Sequence, residues 1–417
     1  MNNSGCDCCS DKSEKLLPLA DALEKITSSL TATQATEVTP LRQSLGRILA
    51  DNIHSPIDIP PHRNSAMDGY ALCSGEITEH NQKLQLIGTS WAGKPWQGKA
   101  KPGQCIRIFT GAVVPACFDT VVMQEKVERE GETISFPFPT LADKNIRLPG
   151  EDIRKDEQLL EIGRQLTPAD LGTIASMGIS EVRIKQKLRV AFFSTGDELR
   201  SIGELLNEGD IYDSNRYSLY GMLKRLNIEL LDMGVIPDER RAVEAAFLAA
   251  AKNADAIITS GGVSVGEADF VTETLEKLGQ VNLWKIAMKP GKPLAYGTIQ
   301  ETAFFGLPGN PVSAMVTFYQ VVRPALLKMM GAGDKKTLRL KLPCNQTIKR
   351  APGRIEFQRG VLKQSDDGEL CVTPLTGQGS HILSSMSKAD CFIIIPAECA
   401  EIAAGEVVVV EPFDSII

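Results

Sequence analysis

The feature that most constrains this chain is a regular alternation of apolar strands and amphipathic helices between residues 188 and 330. A buried strand is predicted at 190–194, and a helix from about residue 215 places Leu219, Met222, Leu223 and Leu226 on one face. Strand 229–236 leads into helix 239–251, strand 256–260 into helix 268–278, and strand 281–288 into a hairpin reaching Gly306. Helix 311–330 closes the unit, with Asn310 as N-cap and Pro311 in the first helical position. Such alternation predicts a doubly wound parallel sheet covered on both faces. Ligands of such sheets bind beyond the carboxyl ends of the strands, so the loops there carry the functional reading.

The remaining sequence has a different texture. Residues 1–14 form a polar head containing Cys6, Cys8 and Cys9, expected to be disordered, with a soft-metal or redox role as the alternative. A first helix is expected near Lys15, with Leu16, Leu19, Ala20 and Leu23 along one stripe, and segments 15–54 and 150–186 together read as a helical linker domain. Between them, residues 55–149 form a β-rich insertion with strands expected at 84–88, 105–110, 120–128 and 133–136. The α/β domain spans 187–335, and 336–417 is a C-terminal β domain of barrel type, with strands at 338–342, 356–362, 370–373, 390–395 and 406–411. At 417 residues, division into several domains is expected.

Composition excludes some functions. A net charge of −7 argues against general nucleic-acid binding, and no apolar run approaches the length of a membrane-spanning helix. No secretory signal is recognised, so the ten cysteines are expected to be reduced in a cytoplasmic protein. The four histidines have no spacing suited to a zinc or catalytic pair, which favours oxygen chemistry.

Candidate binding loops recur at the strand ends. After strand 256–260 the chain reads Ser260-Gly261-Gly262-Val263-Ser264, whose adjacent glycines let backbone N–H groups converge on an anion at a helix start. Ser194-Thr195-Gly196-Asp197-Glu198 offers hydroxyls and carboxylates at the end of the first strand. Lys285 and the segment Lys289-Pro290-Gly291-Lys292-Pro293 supply cations on a backbone stiffened by proline. Pro308-Gly309-Asn310-Pro311 opens the last helix. Each alone is equally an ordinary turn, cap or solvated surface. Together they fit a long phosphate-bearing ligand. Asp238 and Asp269 read as helix caps in isolation but beside a phosphate become candidate ligands for a hard cation such as Mg²⁺. Asp68-Gly69 reads as a turn, and Thr110-Gly111 as the end of a strand.

The motifs NSAMDGY, RIFTGA, PGEDI, FSTGDEL, YDSNR, SGGVSVGEAD, KPGKP, LPGNPVS and GSHILSS, in this order, closely resemble those of the molybdopterin molybdenumtransferase (MoeA) family from about residue 15 onward. The resemblance implies insertion of molybdate into adenylylated molybdopterin with release of AMP. It also implies an elongated homodimer whose α/β domain is similar to molybdopterin adenylyltransferase, with a cleft shared between subunits. Transient contacts with that adenylyltransferase and with molybdoenzyme acceptors follow. Position by position, Asp68 and Thr110 match residues supplied by the partner subunit, and Glu198, Asp238 and Asp269 match essential acidic positions, with Asp152 a weaker candidate. The lysines are expected to neutralise phosphate or molybdate, with Asp238, Asp269 and Glu198 as the metal set. His62 and Arg63 depart from the family pattern beside Asp68. Adenylylation of molybdopterin from ATP and a non-catalytic scaffold are the competing readings.

Overall fold

The computed structural model describes residues 16–261, 270–333, 337–365 and 367–413, so the Cys6, Cys8 and Cys9 head lies outside the described residues. The α/β unit contains β1 (Arg189–Thr195), α1 (Ser214–Arg225), β2 (Glu229–Ile236), α2 (Arg240–Asn253), β3 (Ala256–Ser260), α3 (Phe270–Leu278), β4 (Gly279–Lys285), β5 (Pro293–Ile299) and β6 (Thr302–Leu307). They form one sheet in the order β2-β1-β3-β6-β5-β4. Its first four strands are parallel, and β5 runs antiparallel to both β6 and β4. The parallel core is therefore extended by the anticipated hairpin into a mixed sheet.

Alternation along β1 shows why both faces are covered. Val190 and Phe192 join a core with Leu219, Met222 and Leu223 of α1, whereas Ala191 and Phe193 join another with Val243 and Phe247 of α2 and Leu275 of α3. Each fully buried Phe of this kind contributes about 1.5–3 kcal/mol by leaving water. The last helix is not uniform. It runs as α4 (Pro311–Thr317), a π-helical stretch at Phe318–Val322 and α5 (Arg323–Met330), ending at Gly331 with φ +76°. Pro324 has no N–H for the carbonyl four residues earlier, and the wider turn precedes it.

The segments expected to be helical are mostly not. Among the described residues there, only Leu19–Ser29 and Pro168–Ser176 form α-helices. Thr36–Pro40 instead pairs with Glu181–Lys185, and Ile53–His54 with Gln158–Leu160. The β-branched run in TATQATEVTP favours extended backbone over helix. The first helix starts after Pro18 rather than at Lys15, and it buries Ala22 and Ile26 while Ala20 is exposed. Proline before the first turn shifted the expected stripe.

In the 55–149 region six strands pair in one sheet, in the order Thr120–Met123, Gly69–Leu72, Gln104–Ile108, Gln82–Ser90, Thr133–Phe136, Glu128–Glu130. Gly69, expected in a turn, begins a central strand, where a Cβ would stand 2.0 Å from the Val122 carbonyl oxygen. In the C-terminal region every expected strand is present. Ile355–Gln364, Cys391–Ile395, Val407–Pro412 and Leu340–Pro343 pair successively, and Leu370–Pro374 pairs with the first. Asn345 N donates to Val372 O (3.0 Å) beside a parallel bridge between Cys344 and Val372, closing the ring into a small barrel.

Candidate functional site

Three of the expected loops converge at the carboxyl ends of β1, β3 and β6. Ser194 is in register with Ser260, and Ser260 with Leu307. Gly261 has φ +90°, and a Cβ there would lie 2.6 Å from the Thr195 carbonyl oxygen, so only glycine permits this approach. A Cβ on Gly309 would in turn stand 4.0 Å from the Gly261 Cα. Asn215 ties the loops: its Nδ2 donates to Ser260 Oγ and to the Gly309 carbonyl, both at 2.7 Å. Around this junction Ser194 Oγ, Thr195 Oγ1, Asp213 Oδ2 and Asn215 Oδ1 are buried without a hydrogen-bond partner among the described residues. Buried polar groups are seldom left so, and a cluster of them at strand ends marks a place for a polar ligand. Gly262, Val263, Ser264 and Asp269 lie outside the described residues.

Carboxylates flank this edge. Thr195 is in register with Ile236, bringing Asp197 and Glu198 beside Asp238, whose N–H donates to Asp197 Oδ1 (3.2 Å). Neither the capping role considered for Asp238 nor the helix start considered for the 194–198 loop holds. Helix α2 starts at Arg240 behind Glu239, no helix follows Thr195 directly, and α1 is capped by Asp213, which accepts from Arg216 N (3.1 Å). Burial raises the Asp238 pKa, and the charges of Asp197 and then Glu198 raise it further. Gly196 has φ +150°, a backbone conformation that side-chain-bearing residues rarely adopt, and the Glu198 carboxylate lies against it. Among the described residues no group of three or more acidic, His or Cys side chains is arranged as a metal cage.

The lysine-rich segment sits at the boundary with the C-terminal barrel. Lys285 ends β4 opposite Pro293, the cis Lys289-Pro290 bond follows, Pro290 is buried and Lys292 is exposed. Gly291 (φ +104°) packs on α4, where a Cβ would meet Thr317 Oγ1 at 2.6 Å. Lys289 Nζ is 3.1 Å from Glu356 Oε1 of the barrel. At the start of α4, Asn310 occupies the N-cap position without a side-chain capping bond, Pro311 is in the first turn, and Val312 N donates to Ser380 O (3.0 Å). The KPGKP, LPGNPVS and GSHILSS motifs thus meet. Buried Arg359 holds the last of them, donating to Ser385 Oγ (3.0 Å) and the Gly379 carbonyl (3.1 Å), and burial pulls its pKa down to about 10 against the opposing charge of Glu356.

Asp68 and Thr110 form a separate pair in the insertion. Thr110 donates to Asp68 Oδ1 from its N–H (2.7 Å) and its hydroxyl (2.8 Å). The backbone bond first and then the hydroxyl bond hold the Asp68 pKa below its ordinary value, against an opposing effect of burial, with a lesser contribution from Arg107. Arg107 lies over the rings of Tyr70 (5.0 Å) and Phe109 (4.8 Å), and Trp91 stacks on Phe109 at 4.1 Å. Asp152 donates its N–H to Ile59 O and shows no bond to the carboxylates of the α/β domain among the described residues. Sequence reasoning gave no role to Asp213, Asn215, Glu356 or Arg359. For the first two the signal was present, since YDSNR places an Asp-Ser cap before an apolar helix face. Glu356 and Arg359 are visible only once the barrel strand is laid beside the lysine segment.

Comparisons with known proteins cover nearly the whole chain. Residues 17–178 match the MoeA N-terminal region (domain I and II), 191–328 a probable molybdopterin binding domain, and 341–413 the MoeA C-terminal region (domain IV). A molybdopterin molybdenumtransferase of Haemophilus influenzae is 44% identical over 96% of this chain and 100% of its own. A molybdopterin molybdenumtransferase of Nostoc is 36% identical over 75% of this chain and 73% of its own. The crystal structure of a molybdopterin biosynthesis moeA protein from Pyrococcus horikoshii superposes with a TM-score of 0.83 at 29% identity, covering 96% of this chain and all of that one. Three matching regions in the right order, a relative matched end to end and a shared fold together establish that this chain belongs to the molybdopterin molybdenumtransferase family.

Proposed function

We propose that this protein inserts molybdenum into molybdopterin, completing molybdenum cofactor assembly, with molybdate and adenylylated molybdopterin as substrates and AMP as the released product. The observation that carries the reading is the set of buried, unpartnered polar atoms of Ser194, Thr195, Asp213 and Asn215 beside Gly261, where the Thr195 carbonyl leaves no room for a Cβ. Such a cradle suits a ligand carrying both phosphates and a polar ring system. Names of the relatives supply the metal.

In this reading, Ser194, Thr195, Gly196, Gly261 and Gly309 shape the pocket for phosphate and pterin, with Gly262, Val263 and Ser264 completing it. Pro308, Asn310 and Pro311 fix the rim. Lys285, Lys289 and Lys292 hold the oxyanions, and Pro290 and Pro293 restrict that segment so that less entropy is lost on binding. Asp238 is a fitting Mg²⁺ ligand: burial and then the repulsion from Asp197 and Glu198 raise its pKa, and a cation relieves that repulsion. Mg²⁺ characteristically takes one or two carboxylates and completes its shell with phosphate oxygens and water, which accords with the lack of a full protein cage among the described residues. The candidates for those carboxylates are Asp238, Glu198 and Asp269, and Mg²⁺ held there would supply charge neutralisation for the phosphoanhydride. Asp68, ionised and aimed by Thr110, reaches the cleft from the partner subunit of a homodimer. The protein works in the cytoplasm, in transient contact with molybdopterin adenylyltransferase and with molybdoenzyme acceptors.

The test is incubation of the purified protein with adenylylated molybdopterin, Mg²⁺ and molybdate, following AMP and the reconstitution of an apo-molybdoenzyme. Both signals are expected, and both depend on molybdate. Adenylylated product from ATP and metal-free molybdopterin, with neither signal, would replace this reading by the transferase one.

A further inference from the structure

Glu356 belongs to the C-terminal barrel, yet its carboxylate acts across the domain boundary. Met288 and Lys289 pair in parallel with Ile355 and Glu356, which fixes the lysine backbone beside the glutamate. The Glu356 side chain is 4% exposed, with Lys289 Nζ 3.1 Å from Oε1 and Arg350 Nε 3.0 Å from Oε2. Gln358 Nε2 also donates to Oε1 (3.3 Å). Arg350, 2% exposed, is otherwise engaged within the barrel, donating to the Pro396 carbonyl (2.9 Å) and to that of Arg354. Lys289 differs from Arg350 because its side chain remains 47% exposed. Its ammonium is therefore paired with Glu356 while the side chain keeps much of its surface in solvent, and an ammonium has three donors to share.

We infer that Glu356 is a positioning residue that holds the Lys289 ammonium in place at the junction of the α/β and barrel domains, ready for the oxyanion substrate. A free lysine loses side-chain entropy when it closes on an anion, and one already gripped has lost much of it before binding. The barrel thereby takes part in oxyanion binding through a residue that never touches the anion. This inference rests on the proposed anion-binding role of the KPGKP segment.

The experiment measures cofactor formation against molybdate concentration for the parent, Glu356→Gln, Glu356→Asp, Lys289→Met and the Glu356→Gln/Lys289→Met double variant, with thermal melts of each. Glu356→Gln is expected to raise the half-saturating molybdate concentration roughly tenfold, the scale of one charge-assisted contact, with little change in turnover at saturation. The double variant is expected to be no worse than Lys289→Met alone, because both changes remove the same interaction. Additive effects, or a lower half-saturating concentration in Glu356→Gln, would overturn the inference. If Glu356→Gln does not fold, Glu356→Asp keeps a negative charge in the pocket while drawing it back from the Lys289 ammonium as from Arg350. A smaller rise is then expected, and an unchanged value overturns the inference. An unchanged molybdate dependence in Lys289→Met would instead overturn the anion-binding reading of the segment itself.

Discussion

Asp238 and Asp68 are carboxylates whose surroundings push them in opposite directions, and each direction gives a test. Asp238 has its pKa raised by burial and by Asp197 and Glu198, so its contribution to stability is fully present below the ordinary value of 3.8 and is lost as pH rises through its folded value. Asp238→Asn should therefore melt higher than the parent at pH 7, by about 0.5 kcal/mol after allowing for solvent screening, with the gap closing toward pH 4. The same variant should lose molybdenum insertion, a pairing that marks a residue kept for chemistry at a cost in stability. For Asp68 the chief cause of the lowered pKa is the Thr110 backbone N–H, which Thr110→Ala retains. That variant should keep Asp68 ionised at neutral pH, so a fall in activity with an unmoved acid limb of the pH profile would report loss of the hydroxyl contact. An acid limb shifted upward by a full unit would instead show that the hydroxyl sets the charge.

Elements of the α/β domain are held to their geometry by a few glycines. Gly261→Ala would place a Cβ 2.6 Å from a backbone oxygen at φ +90°. It should cost about 1–3 kcal/mol in thermal or denaturant unfolding and reduce substrate binding together with stability. The strands and helices of this domain were legible because apolar spacing repeats there with little interruption, and the same holds for the barrel strands. Legibility failed where a local rule crossed the periodicity. Pro18 moved the first helix past the stripe drawn through Leu16, and Gly69 looked like a turn residue although the neighbouring strand approaches too closely for any side chain. At the site, glycine loops and acidic residues could be read from spacing alone, but the helix-start reading of the 194–198 loop and the capping role considered for Asp238 disappeared once the helix starts were seen. Glu356 could not be found this way, since nothing local in APGRIEFQRG points to a lysine some seventy residues earlier.

Across the whole molecule, the distribution of apolar cores predicts how it comes apart. One large core joins Ala22 and Ile26 of the first helix, the α1 face of the sheet, the helix after Pro311, and Phe357, Met386, Phe392 and Ile394 of the barrel. The insertion keeps two cores of its own, one around Tyr70, Leu84 and Phe136 and the other around Ile106, Ile108 and Phe118. Residues that share a close-packed core lose their packing together, whereas separately packed units open independently. The α/β domain and the barrel should therefore unfold as one cooperative unit, and the insertion as another. Phe357→Ala, a cavity at the shared core, should destabilise the first unit by about 3–5 kcal/mol while leaving amide exchange in strand Gln104–Ile108 unchanged. Hydrogen exchange followed by mass spectrometry decides the matter. Faster exchange in both Ala256–Ser260 and Cys391–Ile395, with Gln104–Ile108 unmoved, is the expected pattern, and faster exchange confined to the barrel would show that the barrel is stabilised separately from the sheet it meets at Lys289.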